Sequence, residues 1–264
     1  MAHRPATLAA SLMCGFLASW TGTMAQAQEA ARPAPAVPWE RIEAGLSRLA
    51  AGDGEGAEAA FREARKGDDS SVADLFAQLT RAYVAFNRPG EYRPTASIKA
   101  SERLEAANRD FYRQHIPPAV LGDALARIRK ALKQAPPEEA SPSLLRPLLC
   151  NVRLLARDRA TDGEPVLEQT GKDTGSLVHP KPVFAPMPPY TESARRDRIK
   201  GSVVMEVVTD SEGCPASAKV LKPLSRGLAE QAVASWNWWA YQPARYDGAA
   251  VGFKYVLSFG FAIQ

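Results

Sequence analysis

The chain has 264 residues, of which 45% are hydrophobic and 23% are charged. This composition excludes a largely disordered chain and allows one large domain or two ordinary ones. The net charge of +4 is mild, and the densest basic stretch is interrupted by an aspartate and comprises Arg195, Arg196, Arg198 and Lys200. We interpret it as a solvated helix end and expect no nucleic-acid binding, which needs a denser stripe.

Residues 1–27 have the layout of a secretory signal peptide. One arginine precedes an uncharged stretch from Pro5 to Gln28, which closes on the small residues Ala25-Gln26-Ala27. We therefore expect export to the periplasm. The stretch is also long enough to span a bilayer, so an inner-membrane anchor that faces the periplasm is the alternative. Cleavage is favoured because the strongly apolar part, Leu8 to Leu17, is short.

Export bears on the two cysteines that would remain after cleavage. Cys150 and Cys214 would enter an oxidising compartment, which favours a disulfide between them. Two separately buried thiols are the alternative, because spacing does not determine connectivity.

An all-α region is predicted over residues 39–156. It opens with a helical hairpin, in which the tight turn AAGDGEG separates two apolar faces: Ile42, Leu46 and Leu49, then Ala57, Ala60, Phe61 and Ala64. The hairpin resembles a tetratricopeptide unit only weakly, and an irregular helical bundle is the alternative. Further helices are predicted over Val72 to Phe86, about Thr95 to Gln114, Pro118 to Gln134 and Ser143 to Ala156.

Residues 157–188 are rich in Gly, Pro, Asp and Thr, and we predict a linker there. Residues 189–264 then form a small α+β domain. A β-branched strand starts at Gly201, a turn spans Asp210 to Pro215, and a second strand follows. A helix from Leu228 to about Trp239 can place Leu228, Ala232, Trp236 and Trp239 on one face.

The chain ends in a long strand after Pro243, which cannot continue the helix. Apolar residues alternate there, with one side made of Val251, Phe253, Tyr255, Leu257, Phe259, Phe261 and Ile263. A right-handed crossover through the helix places this strand beside the first one, on its free side. The sequence thus predicts a three-stranded antiparallel sheet with the last strand at its edge.

Residues 189–264 resemble the C-terminal domain of the TonB family. The resemblance rests on the order and spacing of features, none of which is specific alone: Tyr190, Ala194, Ile199, Gly201, Asp210, Gly213, then Trp239 to Ala244 in a W-x-[FY]-x-P-A pattern, Asp247-Gly248, and a terminal run ending in Phe-x-Phe. The chain departs from the family in having Thr191 after the tyrosine and a helical region in place of a long Pro/Lys/Glu spacer.

The resemblance implies binding of an extended peptide by β-strand addition. In the family this peptide belongs to an outer-membrane, TonB-dependent receptor, and force comes from a proton-driven inner-membrane complex, ExbB and ExbD. Other periplasmic peptide segments are possible partners. The binding strand would comprise Val251, Phe253, Lys254, Tyr255, Val256, Leu257, Ser258 and Phe259. Arg195, Arg196 and Arg198 would form a rim available to acidic partners.

A force transmitter needs two attachments, so a chain that has lost its leader would instead be a soluble periplasmic adaptor, with the helical region as a second surface. We expect no catalysis, metal or cofactor. His115 and His179 sit in no metal-spaced or nucleophile–base motif, no phosphate loop is present, and carboxylates are scattered.

Overall fold

The computed structural model describes residues 35–87, 109–135, 144–156, 166–168 and 176–262. Residues 36–264 form one compact unit. The predicted leader lies outside the described residues, as do Ser143 and most of the helix expected from Thr95. The chain is α+β, with a helical region followed by a sheet, as the sequence predicts.

Six helices form the described part of the helical region: α1 (Trp39–Ala50), α2 (Gly54–Ala64), α3 (Val72–Phe86), α4 (Arg109–His115), α5 (Pro118–Gln134) and α6 (Leu145–Ala156). A 3₁₀ turn, Arg65–Gly67, extends α2. The Asp53 side chain accepts a hydrogen bond of 2.8 Å from the Gly56 N–H, which caps the first turn of α2. This cap fixes the turn between α1 and α2 where the sequence predicts one.

Apart from Ala60, which is only half-buried, the apolar faces predicted for α1 and α2 are buried against each other and against α3. The rings of Phe61 and Phe76 meet edge to face at 5.4 Å. A Cβ atom at Gly45 would lie 2.3 Å from the Phe61 ring, so the glycine makes room for it. The choice between a tetratricopeptide-like hairpin and an irregular bundle stays open.

Seven strands and two helices complete the described structure: β1 (Val166–Glu168), β2 (Lys181–Phe184), α7 (Glu192–Arg196), β3 (Gly201–Thr209), β4 (Pro215–Lys222), α8 (Leu228–Trp236), β5 (Ala240–Gln242), β6 (Ala244–Tyr246) and β7 (Ala249–Phe261). The main sheet has the order β1-β7-β3-β4, and β6 pairs with β7 as a fifth strand. A second sheet pairs β2 with β5.

The predicted central order β7-β3-β4 is confirmed, but the prediction of a three-stranded, wholly antiparallel sheet is wrong. The described sheet has five strands, and β1 pairs with β7 in parallel. The strands β1 and β2 arise within the stretch interpreted as a linker, and the predicted domain boundaries themselves stay a prediction. Strands of three or four residues are too short to show a period-2 pattern, and they form here because the partner strand supplies their hydrogen bonds.

In two turns the backbone conformation accounts for the presence of a glycine. Gly213, in the turn between β3 and β4, has φ +79°, and a Cβ there would lie 2.1 Å from the Tyr241 carbonyl oxygen. Asp247 and Gly248 have φ +50° and +82° and join β6 to β7 in a two-residue hairpin. Positive φ at both central residues is what the type I′ turn of such a hairpin requires.

The three tryptophans near residue 238 divide between two cores. Trp236 and Trp239 pack under the main sheet with Leu228, Val203 and Phe259, whereas Trp238 packs with the helical region. The helix α8 ends at Trp236 rather than near Trp239. The indole N–H of Trp239 nevertheless reaches the Pro186 carbonyl oxygen at 2.8 Å, which satisfies its buried donor.

The helical region and the small β2–β5 sheet share one apolar core. Phe184 on β2 is fully buried, and its ring meets those of Tyr83 and Phe86 edge to face at 4.8 and 5.0 Å. The sulfur atoms of Cys150 on α6 and Cys214 beside β4 lie 2.13 Å apart in a disulfide. The helices are therefore attached to the sheet both by packing and covalently.

We expect loss of this disulfide to destabilise the fold. The bridge spans a sequence separation of 64, and closing a loop of that length contributes about 4 kcal/mol in the chain-entropy account. A Cys150→Ala, Cys214→Ala double variant should therefore lose about this much free energy of unfolding, measured by urea titration. Reductant should weaken the wild type by a similar amount and leave the double variant unchanged. Equal stability of variant and wild type would contradict the prediction.

Candidate functional site

The ladder between β3 and β7 sets the orientation of the last strand. Pairing runs without interruption from Gly201 opposite Phe261 to Thr209 opposite Phe253. Since side chains alternate along a strand, every second residue of β7 faces the helix-covered core. Phe259 and Phe261 are buried there, Tyr255 and Leu257 are partly buried, and Val256 on the opposite face is 60% exposed.

Among the described residues, the outer side of β7, away from β3, has a strand partner along only part of its length. Gly252, Phe253 and Lys254 pair there with Val166, Leu167 and Glu168 of β1, and Ala249–Val251, which precede the ladder with β3, pair with β6. From Tyr255 to Phe261, no strand of the described residues pairs with this side. We call Tyr255–Phe261 the open half of β7.

The structure divides the predicted binding strand at Lys254. Phe253 and Lys254 already have β1 on their outer side and Val251 is paired with β6, so the prediction of one continuous free edge is wrong for this part. The remaining predicted residues lie in the open half: Tyr255, Val256, Leu257, Ser258 and Phe259. The sequence offers no signal for this division, because it depends on β1 and β6.

A hydrogen-bonded chain of side chains braces the start of the open half. The Tyr255 hydroxyl donates to the Tyr241 hydroxyl at 2.6 Å, which also accepts from the Trp236 indole N–H at 3.0 Å. Burial raises the pKa of Tyr255 and raises that of Tyr241 well above its ordinary value. Both phenols thus stay neutral, and this series of side-chain hydrogen bonds ties β7 to β5 and α8.

The predicted rim lies at the far end of the open half. Arg195 and Arg196 end α7, Arg198 follows, and β3 begins at Gly201, opposite Phe261. All three arginines are exposed. Arg196 lies 4.0 Å from Asp197, which also pairs with Arg226 at 2.6 Å. A group of exposed arginines therefore directly precedes β3, whose first residue pairs with Phe261 of β7.

A group of residues that the sequence analysis missed holds the turn between β3 and β4. Arg153 on α6 is buried and contacts Asp210 at 2.6 Å and Glu212 at 2.9 Å. Glu212 also receives two hydrogen bonds from Arg129 on α5, at 3.0 and 2.9 Å, and its carbonyl oxygen accepts one from Arg146. With the adjacent disulfide, we call this group the turn clamp: Arg129, Arg146, Cys150, Arg153, Asp210, Glu212 and Cys214.

The surroundings shift the pKa values of the two turn-clamp carboxylates in opposite directions. Burial raises the pKa of Asp210, although Arg153 and the N–H groups of Cys214 and Glu212 oppose it. Burial also acts to raise the pKa of Glu212, but its hydrogen bond to Arg129 and the charge of Arg153 outweigh burial and lower it. Paired charges at this depth are tolerated because each carboxylate has several hydrogen-bond donors.

The two described histidines, His115 and His179, each contact a neighbouring group of the fold. The Nδ1 atom of His115 lies 2.8 Å from the Phe111 carbonyl oxygen at the end of α4, and His179 lies edge-on to Phe253. Within the described ranges, no group of three or more His, Cys, Asp or Glu side chains is arranged to hold a metal ion. No helix in the same ranges combines the length and apolarity needed to cross a bilayer.

Comparison with known proteins agrees with the resemblance seen in the sequence. Residues 186–263 match the family model described as the C-terminal domain of the Gram-negative bacterial TonB protein. The matched part contains the open half of β7, the rim, and the turn that the clamp holds. No curated protein matches the chain.

The lowered pKa of Glu212 predicts how the turn clamp depends on pH. A carboxylate with a lower pKa in the folded state adds stability above its unfolded pKa of about 4.3, and this is lost as pH falls through the folded value. Glu212→Gln should therefore be less stable than the wild type at pH 7, with a smaller difference at pH 3. Urea midpoints at both pH values check this.

A matched control is Glu55→Gln, which changes an exposed glutamate in the first turn of α2. It should alter the midpoint little at either pH. A Glu212→Gln deficit of the same size at pH 7 and pH 3 would show that the carboxylate charge contributes nothing.

Proposed function

We propose that the C-terminal part of this chain binds an extended peptide segment of an outer-membrane receptor by β-strand addition to the open half of β7. The observation that carries the proposal is that no strand of the described residues pairs with the outer side of Tyr255–Phe261, while β3 pairs with the other side from Phe253 to Phe261. Such an edge offers main-chain donors and acceptors that an incoming strand satisfies. The match of residues 186–263 to a TonB C-terminal domain supports this kind of partner.

The surroundings of the open half suit a bound strand. Its inward side chains are anchored in the core, so the backbone is rigid before binding and loses little conformational freedom. Val256 and Ser258 face solvent and would contact side chains of the peptide. The rim arginines Arg195, Arg196 and Arg198 would attract an acidic partner and speed its association.

The proposal extends to energy transduction if the chain is anchored in the inner membrane. A peptide held by main-chain hydrogen bonds along a strand resists shear, so a pull on the anchored end would reach the receptor. The chain would then work with an ExbB/ExbD-type complex and face the periplasm.

The second candidate function is a soluble periplasmic adaptor that is not an energy transducer. It is favoured by the turn clamp and the shared core around Phe184, which join the helical region to the sheet. The helices would present a second binding surface held in fixed relation to the open half of β7. Both candidates are binding roles, and we propose no catalytic activity.

The two candidates differ in the amino terminus of the exported protein. Cleavage after Ala27 leaves Gln28 first and removes the apolar stretch, which favours the adaptor. A retained Met1 or Ala2 keeps the stretch as an anchor and favours the transducer. Amino-terminal sequencing of protein isolated from the periplasmic and membrane fractions distinguishes them, and we expect Gln28.

Amide hydrogen exchange tests strand addition directly. Along an edge strand, alternate N–H groups point to the neighbouring strand and to the open side. Peptides tiled across the periplasm-facing segments of outer-membrane receptors should therefore slow exchange at alternate amides of Tyr255–Phe261, read by NMR. The amides already bonded to β3 should be slow with and without peptide.

The strand β4, which ends the sheet on the side away from β7, supplies an internal control. Its outer side has no strand partner among the described residues, and its exchange should stay unchanged when peptide is added. If a peptide binds but the protected amides lie in β4 or in the helical region, strand addition to β7 is wrong.

A further inference from the structure

Two segments of the chain bring six basic side chains together near the start of β3. Residues 192–200 contain α7 and the turn after it, and residues 222–226 lead from the end of β4 to α8. The Thr191 hydroxyl donates a hydrogen bond of 2.6 Å to the Arg226 carbonyl oxygen, and the Arg226 guanidinium lies 2.6 Å from the Asp197 carboxylate. We call the exposed cations of these segments the basic surface: Arg195, Arg196, Arg198, Lys200, Lys222 and Arg226.

The positive charge of the chain is concentrated on the basic surface. The two segments hold six cations against two carboxylates, Glu192 and Asp197, so their net charge of +4 equals that of the whole chain. Asp197 is already paired with Arg226. No carboxylate of the described residues forms an ion pair with four of the cations: Arg195, Arg198, Lys200 and Lys222. Exposed charges of one sign therefore remain to attract an anionic partner.

The backbone of both segments is held in a conformation that non-glycine residues seldom adopt. Arg198 and Arg226 have φ +53° and +61°, and they are two of the four non-glycine residues with positive φ in the described ranges. The Arg198 N–H donates to the Arg195 carbonyl oxygen at 3.2 Å, and the Arg226 carbonyl oxygen accepts from the Thr191 hydroxyl. Such a conformation persists only where the surrounding contacts impose it. The cations thus stand on a preset backbone, and binding costs little backbone ordering.

The width of the basic surface favours a planar anionic partner over an extended peptide. Lys222 on β4 lies opposite Val204 on β3, so β7 and β3 would separate it from a strand added to the open half. Three strand spacings amount to about 14 Å, which puts the main chain of such a peptide beyond contact with Lys222. Leu221, next to Lys222, is 48% exposed. An exposed apolar side chain among cations suits a layer of lipid headgroups.

We propose that the basic surface docks the protein onto a phospholipid membrane that carries anionic headgroups. The lipid phosphates would pair with the guanidinium and ammonium groups, and about four to eight basic residues are typical of a protein surface that binds anionic lipid. Since β3 begins opposite Phe261, docking would bring this end of the open half close to the membrane. The inference goes beyond the proposed function and does not require strand addition.

Sedimentation with phospholipid vesicles tests the docking. The probes are vesicles of phosphatidylcholine alone and of phosphatidylcholine with about 30% phosphatidylglycerol, an anionic lipid. In about 0.1 M salt the exported protein should bind the anionic vesicles more tightly by about tenfold or more. In about 1 M salt the difference should disappear, because the screening length falls from about 10 Å to about 3 Å. A retained leader would bind both kinds of vesicle alike, so the difference between them reports charge.

A triple variant tests whether the basic surface is responsible. Arg195→Gln, Lys200→Gln, Lys222→Gln should weaken binding to the anionic vesicles by about tenfold or more in about 0.1 M salt. Its urea midpoint should stay near that of the wild type, because all three side chains are exposed. The matched control removes three exposed cations of α1 and α5 and lowers the net charge equally: Arg41→Gln, Lys130→Gln, Lys133→Gln. It should weaken binding by no more than about threefold.

The remaining outcomes overturn the proposal. If both kinds of vesicle bind equally, or if the triple variant binds as tightly as the wild type or as the control, the basic surface is not a docking site. If the anionic vesicles do not bind, but a labelled peptide of alternating Glu and Ser binds the wild type and not the triple variant, the surface takes an acidic peptide instead. Exchange at Tyr255–Phe261 with receptor peptides is measured without lipid, so failure of docking and failure of strand addition are distinguishable.

Discussion

The uninterrupted ladder between β3 and β7 is the constraint on which the rest of the C-terminal structure depends. It runs from Gly201 and Phe261 to Thr209 and Phe253, and a slip of one residue would turn the aromatic side of β7 to solvent. Burial of Phe259 and Phe261 against Trp239 and the helix α8 therefore fixes the register. The same register determines which residues of β7 lie beyond β1 and form the open half.

Much of this arrangement can be predicted from the sequence, since its signals are local. The long alternation of β7 and the β-branched run of β3 indicate strands by themselves, and Pro243 shows where the helix can no longer continue. The right-handed crossover through the helix adds the order of the strands. The helices of the N-terminal region can also be predicted from the sequence, because their apolar residues recur at helical spacing over several turns.

The remainder depends on contacts that no local pattern encodes. The strands β1 and β6 have three residues each, too few for a periodicity, and the part of β7 that they cover looks the same in sequence as the part left open. Arg153 and Asp210 are 57 positions apart, and Arg129 and Glu212 are 83 apart. One arginine among many in helices of ordinary composition gives no sign that it will be buried beside a distant carboxylate.

The disulfide between α6 and the turn before β4 changes the mechanical route through the molecule. Along the backbone, Cys150 and Cys214 are separated by 64 positions, but through their sulfur atoms the two Cα atoms lie 5.1 Å apart. Tension applied to β7 passes through the ladder into β3, and from the turn at its end directly into the helices. The disulfide thereby offers a load path far shorter than the backbone between the two cysteines.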